Sequence, residues 1–240
     1  MPEKLFYEHP YDKSFSAKVL HADDTGIRLD RTLFYATSGG QPGDTGTLTI
    51  ANQNYRVVTT RKGETPDDII HVLEEGSPLP DIGADVQGEI DWETRHKHMR
   101  MHTAMHLLCS LIEGYATGGQ IGADKSRLDF DVPAGTYDKE ELTRQMNALI
   151  EADYPVTVSS ITAEELESNP QLIRTMSVKP PTGSGTVRTI RIGNEETPID
   201  FQPCGGTHVR STGEIGPVAI SKIENKGKQN RRFHIIFSES

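Results

Sequence analysis

The sequence predicts an α+β protein, with a small all-β barrel or sandwich over residues 1–91 followed by an α+β domain over residues 92–240. Three observations lead there. Between Phe15 and Asp91, clusters of Gly, Pro, Asp and Asn cut the chain into short β-like runs, the spacing of an all-β unit. Near Trp92 the pattern changes to the 3.6-residue period of a core-facing helix. Beyond that helix, strand-like runs and helices alternate as far as Phe237.

The runs in the first part are Phe15 to Leu20, Thr45 to Ile50, Tyr55 to Thr60 and Ile69 to Leu73. From Thr94 to Glu113, Met101, Met105, Leu108 and Ile112, joined by Ala104, Leu107 and Leu111, share a helix face, and Gly114 ends the helix. Asp138 and Glu141 have capping-box spacing and open a second helix through Leu142, Met146 and Leu149. A short third follows Thr162-Ala-Glu-Glu165. Strands are expected at Leu128 to Val132, Val156 to Ser160, Val187 to Ile192, Val218 to Ile223 and Arg232 to Phe237. Lys179 to Gly185 is too rich in Pro and Gly for regular structure and reads as a loop or hairpin tip.

A chain of 240 residues with 34 % apolar content can build two modest packed domains. No low-complexity tract or fixed-period repeat is present. Glu3, Lys4, Glu8, His9 and Asp12 interrupt the N-terminal stretch, so it lacks a signal-peptide core. No stretch approaches the ~20 apolar residues of a membrane helix, and a cytoplasmic location without a membrane partner is the default expectation. Cys109 and Cys204, the two cysteines, read as free thiols or ligands and not as a disulfide framework. A net charge of −10 argues against indiscriminate nucleic-acid binding. An RNA partner would therefore meet a local basic patch. Arg95 to Arg100 contains no acid, and in Lys222 to Arg232 five basic residues outnumber Glu224. Arg100 and Arg231 are the candidate substrate contacts in these stretches; ordinary solvated faces are the alternative.

The chemistry concentrates in two pairs. His102-Thr-Ala-Met-His106 puts two imidazoles about 40° apart around a helix and one turn along it, the spacing two ligands of one metal need. Zinc proteases share this spacing but follow the first His with a Glu as general base; here Thr103 stands in that place, which disfavours such a protease. Cys204-Gly-Gly-Thr-His208 supplies a thiolate and a third imidazole across a tight turn. Together these make a Cys-His₃ set suited to one zinc ion. Cys109, a turn beyond His106 on the same face, is a rival ligand, although a free cysteine is more often a small buried apolar side chain, the reading preferred for it.

Five segments in order, Arg100-Met-His-Thr-Ala-Met-His-Leu-Leu108, Gln120-Ile-Gly122, Arg127-Leu-Asp-Phe-Asp131, Cys204-Gly-Gly-Thr-His-Val209 and Thr212-Gly-Glu-Ile-Gly216, resemble the editing domain of alanyl-tRNA synthetases. Phe34 to Gly46 is similar to the Gly-rich segment that precedes that domain. The resemblance covers nearly the whole chain. Threonyl-tRNA synthetase editing domains share the paired ligands, but the Cys-Gly-Gly-Thr-His form is that of the alanyl branch. No aminoacylation core fits beside these segments, so the chain resembles the free-standing form that acts in trans.

The resemblance implies an N-terminal β-barrel, a C-terminal α+β editing domain of the threonyl/alanyl-tRNA synthetase second-domain type, and one zinc held by His102, His106, Cys204 and His208. The implied partner is mischarged tRNA(Ala), chiefly Ser-tRNA(Ala) with Gly-tRNA(Ala) as a further candidate, and the implied reaction is hydrolysis of its aminoacyl ester. Gln120 matches a family position beside the aminoacyl group. Gly39, Gly40, Gln41, Gly43 and Asp44 either touch substrate or only shape an inter-strand turn. Met105 and Pro42 depart from the family pattern, which leaves the pocket wall near Met105 open.

Serine is larger than alanine, so a size sieve cannot spare the correct ester, and the site must recognise the seryl hydroxyl. A site built around such a hydroxyl can reject the analogue lacking it by ~10⁴-fold. Gln120 and Thr103 are the candidates for that contact. Four protein ligands normally mark a structural zinc, so the ion either activates water after one ligand yields or fixes the surrounding geometry, and the second is preferred. The rival functions are a non-catalytic zinc-containing tRNA-binding module and a metal-dependent amide hydrolase.

Overall fold

The computed structural model describes residues 1–133, 135, 137–175 and 185–238. It divides into two compact units, Met1–His96 and Lys97–Ser240.

In the first unit, β1 (Glu3–Lys4) and helix α1 (Leu5–Glu8) precede β2 (Ser14–Asp23), β3 (Gly26–Leu29), β4 (Arg31–Thr32), β5 (Gly46–Ile50), β6 (Gln53–Lys62), β7 (Ile69–Leu73) and β8 (Asp85–Ile90). Strands β1 and β4 pair in parallel. The other six close into a barrel in the order β2-β3-β7-β6-β5-β8, which removes the free edges an open sheet would carry. Alternate residues point inward, as the period of two requires: in β8, Val86, Gly88 and Ile90 are buried between exposed Asp85, Gln87 and Glu89. Ile27, Phe34, Leu48, Val57 and Val86 are buried together in the barrel core. The β5–β6 hairpin turns through Ala51 and Asn52, both with positive φ (48° and 63°), the mirror-image turn that suits strand twist.

Helix α2 (Trp92–Leu111) starts in the first unit and enters the second. Then come β9 (Ala116–Gln120), β10 (Lys125–Asp131), α3 (Lys139–Glu151), β11 (Val156–Thr162), α4 (Ala163–Ser168), β12 (Thr186–Gly193), β13 (Pro198–Pro203), β14 (Val218–Asn225) and β15 (Asn230–Phe237). Two antiparallel sheets result, one ordered β14-β15-β10-β9 and the other β11-β12-β13. From Met101 to Cys109 every residue of α2 is buried, so the amphipathic pattern marks a helix covered on all sides. Asp138 caps α3, its side chain accepting from the Glu141 amide, and Thr162 and Glu165 form a reciprocal capping box at α4. Across the α3 face, Asn147 both donates to the Val218 carbonyl and accepts from its amide (2.8 and 3.0 Å), a clamp of helix on sheet.

Each expected strand is present, most of them extended by one to three residues at an end. Four further strands of the sheets and barrel were not legible: β3, β8, β9 and β13. The expected loop at Lys179 to Gly185 lies, apart from Gly185, outside the described residues.

Candidate metal centre

Helix α2 presents His102 and His106 one turn apart, with ring centroids 5.3 Å from each other. Strand β13 ends at Pro203 and delivers Cys204 and, four residues on, His208 to the same place. Cys204 Sγ lies 3.4 Å from His102 Nε2 and 3.3 Å from His208 Nε2. The ligand atoms of His102, His106, Cys204 and His208 all lie within 4.8 Å of one another, close enough to hold one metal ion. The Cys204 loop is braced from both sides. Its Cys204 amide donates to the Arg188 carbonyl, the Arg188 guanidinium donates to the Cys204 carbonyl at 2.6 Å, and the Gly206 amide reaches back to Sγ at 3.4 Å.

The backs of two rings are also engaged. His106 Nδ1 is 2.7 Å from Asp200 Oδ2, and Gln202 Nε2 donates to both Asp200 oxygens at 3.0 and 2.9 Å. His208 Nδ1 is 3.1 Å from Thr103 Oγ1, an oxygen that also accepts from the Val209 amide and donates to the Met99 carbonyl. With Thr103 donating to a carbonyl, His208 Nδ1 carries the proton and Nε2 faces the cluster.

These surroundings set the charges. Burial opposes a thiolate at Cys204, but the neighbouring imidazoles, His102 first among them, overcome it and hold the thiol well below its ordinary range. Burial, with His102 adding to it, drives His208 well below the usual imidazole range, leaving a neutral ring. At His106 burial again disfavours the charge, but the Asp200 carboxylate and Cys204 sulfur prevail and raise it to about 10. Cys109 is different: burial pushes its thiol up to about 12, and it lies outside the ligand cluster as a buried small side chain.

Gln120 ends β9 and is exposed, its side-chain oxygen accepting from Arg127 Nε at 3.2 Å. The strand can lie close over the histidine helix because residue 119 is glycine; a Cβ there would come within 3.1 Å of Met105 Cε and Leu128 Cδ1. Thr103 is buried completely, its hydroxyl taken up by His208, Met99 and Val209. Arg100 donates to the Ile215 carbonyl at 2.7 Å and stacks on Phe237, its Cζ 4.1 Å from the ring centre. The Arg231 guanidinium is buried against the carbonyls of Gly227, Lys228 and Asn230, where it organises the β14–β15 turn. Lys222 and Lys226 both pair with Glu224, and Arg232 makes a two-bond pair with Asp129.

In the Gly-rich segment, Gly39 (φ 57°) and Gly40 (φ 82°) form an exposed turn between Ser38 and Gln41, whose backbones exchange two hydrogen bonds. Gln41 is buried. Gly43 is pressed against β6, where a Cβ would stand 1.8 Å from the Thr60 carbonyl oxygen. Asp44 is buried and paired with Arg95, itself fully buried, and accepts from the Tyr35 amide at 2.6 Å. Gly43 and the Asp44 carboxylate are thus both engaged by contacts within the first unit.

Asp200 and Gln202 were not singled out from the sequence. The signal was there in the alternation Asp200, Gln202, Cys204, three polar residues at every second position leading into the cysteine motif.

Among the described residues no helix is long and apolar enough to cross a membrane. Residues 187–234 match the family described as threonyl and alanyl tRNA synthetase second additional domain, and residues 3–94 match tRNA synthetases class II (A). An alanine–tRNA ligase of Pyrobaculum arsenaticum is 39 % identical over 92 % of this chain, which spans 25 % of the ligase. The alanyl-tRNA editing protein AlaX-M of Saccharolobus solfataricus is 32 % identical over 98 % of both chains. Its counterpart in Methanosarcina acetivorans is 37 % identical, again over 98 % of both. The chain belongs to the AlaX-M family of alanyl-tRNA editing proteins.

Proposed function

We propose that this chain acts in trans as a zinc-dependent hydrolase that removes a wrongly attached amino acid from tRNA(Ala), chiefly serine, with the glycyl ester as a second substrate. The observation that carries the reading is the convergence of His102, His106, Cys204 and His208, in a chain of the alanyl-tRNA editing family.

Zinc fits this donor set. Bonds of ~2.3 Å to sulfur and ~2.05 Å to nitrogen at the tetrahedral angle place S and N about 3.6 Å apart. The two S–N separations here are 3.4 and 3.3 Å. The Cys204 thiolate and the neutral His208 ring are already in the protonation states a divalent ion needs, and binding would displace the proton from the ligating nitrogen of His106. When bound, zinc supplies positive charge that can polarise an ester carbonyl or acidify water. Four protein donors fill a tetrahedron, which favours a positional role: His102 and His106 tie helix α2 to the Cys204–His208 loop and so fix the wall on which the ester lies.

An aminoacyl ester is already activated, so alignment of water and carbonyl supplies much of the acceleration. Selectivity falls to Gln120. Its oxygen is held by Arg127, which turns the amide nitrogen outward as a donor for the seryl hydroxyl. An alanyl ester leaves that donor unpaired and is spared, and the glycyl ester, which also lacks the hydroxyl, draws nothing from Gln120 and is the much slower substrate. Thr103 acts behind the site by holding His208. Gly39 and Gly40 are the members of the Gly-rich turn open to a ligand, and Arg100 supports the wall through Ile215.

The test is deacylation of Ser-tRNA(Ala) by the protein as purified, after treatment with a strong chelator, and after zinc is restored. Loss and recovery of serine release support the reading. Tight binding of the charged tRNA without turnover in any state would instead identify a non-catalytic tRNA-binding module, and release of amino acid from simple amides without RNA would identify an amide hydrolase.

A further inference from the structure

Three polar side chains occupy alternate positions along and just past β13: Asp200, Gln202 and Cys204. The period of two puts them on one face, turned toward the face of α2 that carries His102 and His106. Cys204 joins the ligand cluster, and Asp200 stops one shell short of it, 2.7 Å from His106 Nδ1. Asp200 is 6 % exposed and Gln202 3 %. A carboxylate removed from water needs compensation, yet among the described residues its ion partner is an imidazole and not an Arg or Lys.

We propose that Asp200, clamped by Gln202, is a positioning residue of the metal centre. A carboxylate only accepts hydrogen bonds, so it fixes the proton on His106 Nδ1 and leaves the Nε2 lone pair to face the other three donors. Its negative charge raises the basicity of the ring and is balanced through it by the bound cation. Gln202 orients the carboxylate by donating to both oxygens. The centre is therefore uneven: His106 is backed by a charged acceptor, whereas His208 is backed by the neutral Thr103 hydroxyl, shared with two backbone groups.

This inference rests on reading His102, His106, Cys204 and His208 as zinc ligands, and the experiment separates the two. Zinc affinity of the full chain is measured by competition with a chromophoric chelator for the native protein and for Asp200→Asn, Asp200→Glu and Cys204→Ala. Asp200→Asn keeps the shape but removes the charge, and its zinc affinity falls ~10–100-fold, the usual effect of removing a ligand's outer partner. Asp200→Glu recovers part of the loss, and Cys204→Ala loses more than either. Zinc binding by Asp200→Asn within twofold of the native protein overturns the proposal while leaving the metal centre intact; a native chain that takes up no zinc, or a Cys204→Ala variant that binds it equally well, overturns the metal reading and the proposal together. Should Asp200→Asn fail to fold, nitrogen-15 NMR of the zinc-loaded native protein decides alone. A proton on His106 Nδ1 with metal at Nε2 supports the proposal, and the reverse tautomer overturns it.

Discussion

Thr103 Oγ1 lies 3.1 Å from Nδ1 of His208, linking the residue between the two helix ligands to the last ligand of the cysteine loop. Thr103→Val preserves the volume but strands His208 Nδ1 and the Val209 amide without an acceptor. An unsatisfied buried group costs about 1–3 kcal/mol, so a drop of that size in unfolding free energy is expected, with zinc affinity down ~10-fold. Thr103→Ser restores both. Chemical denaturation and chelator competition measure the two effects, and an unchanged Thr103→Val variant would remove Thr103 from the account.

Asp44 and Arg95 test what the Gly-rich segment is for. Removing the carboxylate leaves a fully buried guanidinium without its counter-ion, and breaking a buried pair costs about 3–5 kcal/mol. Asp44→Ala should therefore unfold the first unit at markedly lower urea concentration. Loss of serine release with unchanged stability would instead make Asp44 a substrate contact.

His71 gives the first unit a pH dependence. It is completely buried, Nδ1 donating to the Ile27 carbonyl at 2.9 Å and Nε2 accepting from Thr32 Oγ1 at 2.8 Å, an arrangement for the neutral ring. Burial lowers its pKa from 6.5 to about 4, against the Ile27 hydrogen bond. A histidine depressed in the folded state adds stability that is complete above the unfolded value and is lost as pH falls from about 6.5 to about 4. The loss amounts to about 3 kcal/mol over that window. Unfolding of the native protein and of His71→Gln across pH 4–7.5 should show this slope in the first and not in the second.

Gln120 is exposed at the end of its strand, so Gln120→Ala should leave stability within about 0.5 kcal/mol of native. A lost substrate hydrogen bond of ~1.5 kcal/mol lowers kcat/KM on the seryl ester about tenfold. Steady-state kinetics on Ser-tRNA(Ala) and Gly-tRNA(Ala) decide the assignment: an equal loss on both esters contradicts recognition of the hydroxyl, because glycine has none.

Much of this was legible in the chain because the governing signals are local. The helix period and the His102–His106 spacing placed α2 and its ligands, and capping residues at Asp138 and Thr162 placed α3 and α4. Strands β3 and β8 do alternate, through Ile27 and Leu29 and through Val86 and Ile90, but each is short and carries a Gly, whereas β9 and the inward face of β13 lack the apolar residues that announce a strand. Strand β9 is Ala-Thr-Gly-Gly-Gln, small because it lies close over Met105, and the inward positions of β13 carry Asp200 and Gln202 because they face the histidines. A basic run read along the sequence also hid opposite fates: Lys97 is exposed, whereas Arg95 is buried on Asp44. Those differences depend on partners distant in sequence, which no local pattern records.

The most direct test of the central claim is release of labelled serine from Ser-tRNA(Ala) by the native protein and by Cys204→Ala, with Ala-tRNA(Ala) as the control. The account predicts fast release of serine, little release of alanine, and loss of serine release in the variant. Equal release of both amino acids, or a Cys204→Ala variant as active as the native chain, would contradict it.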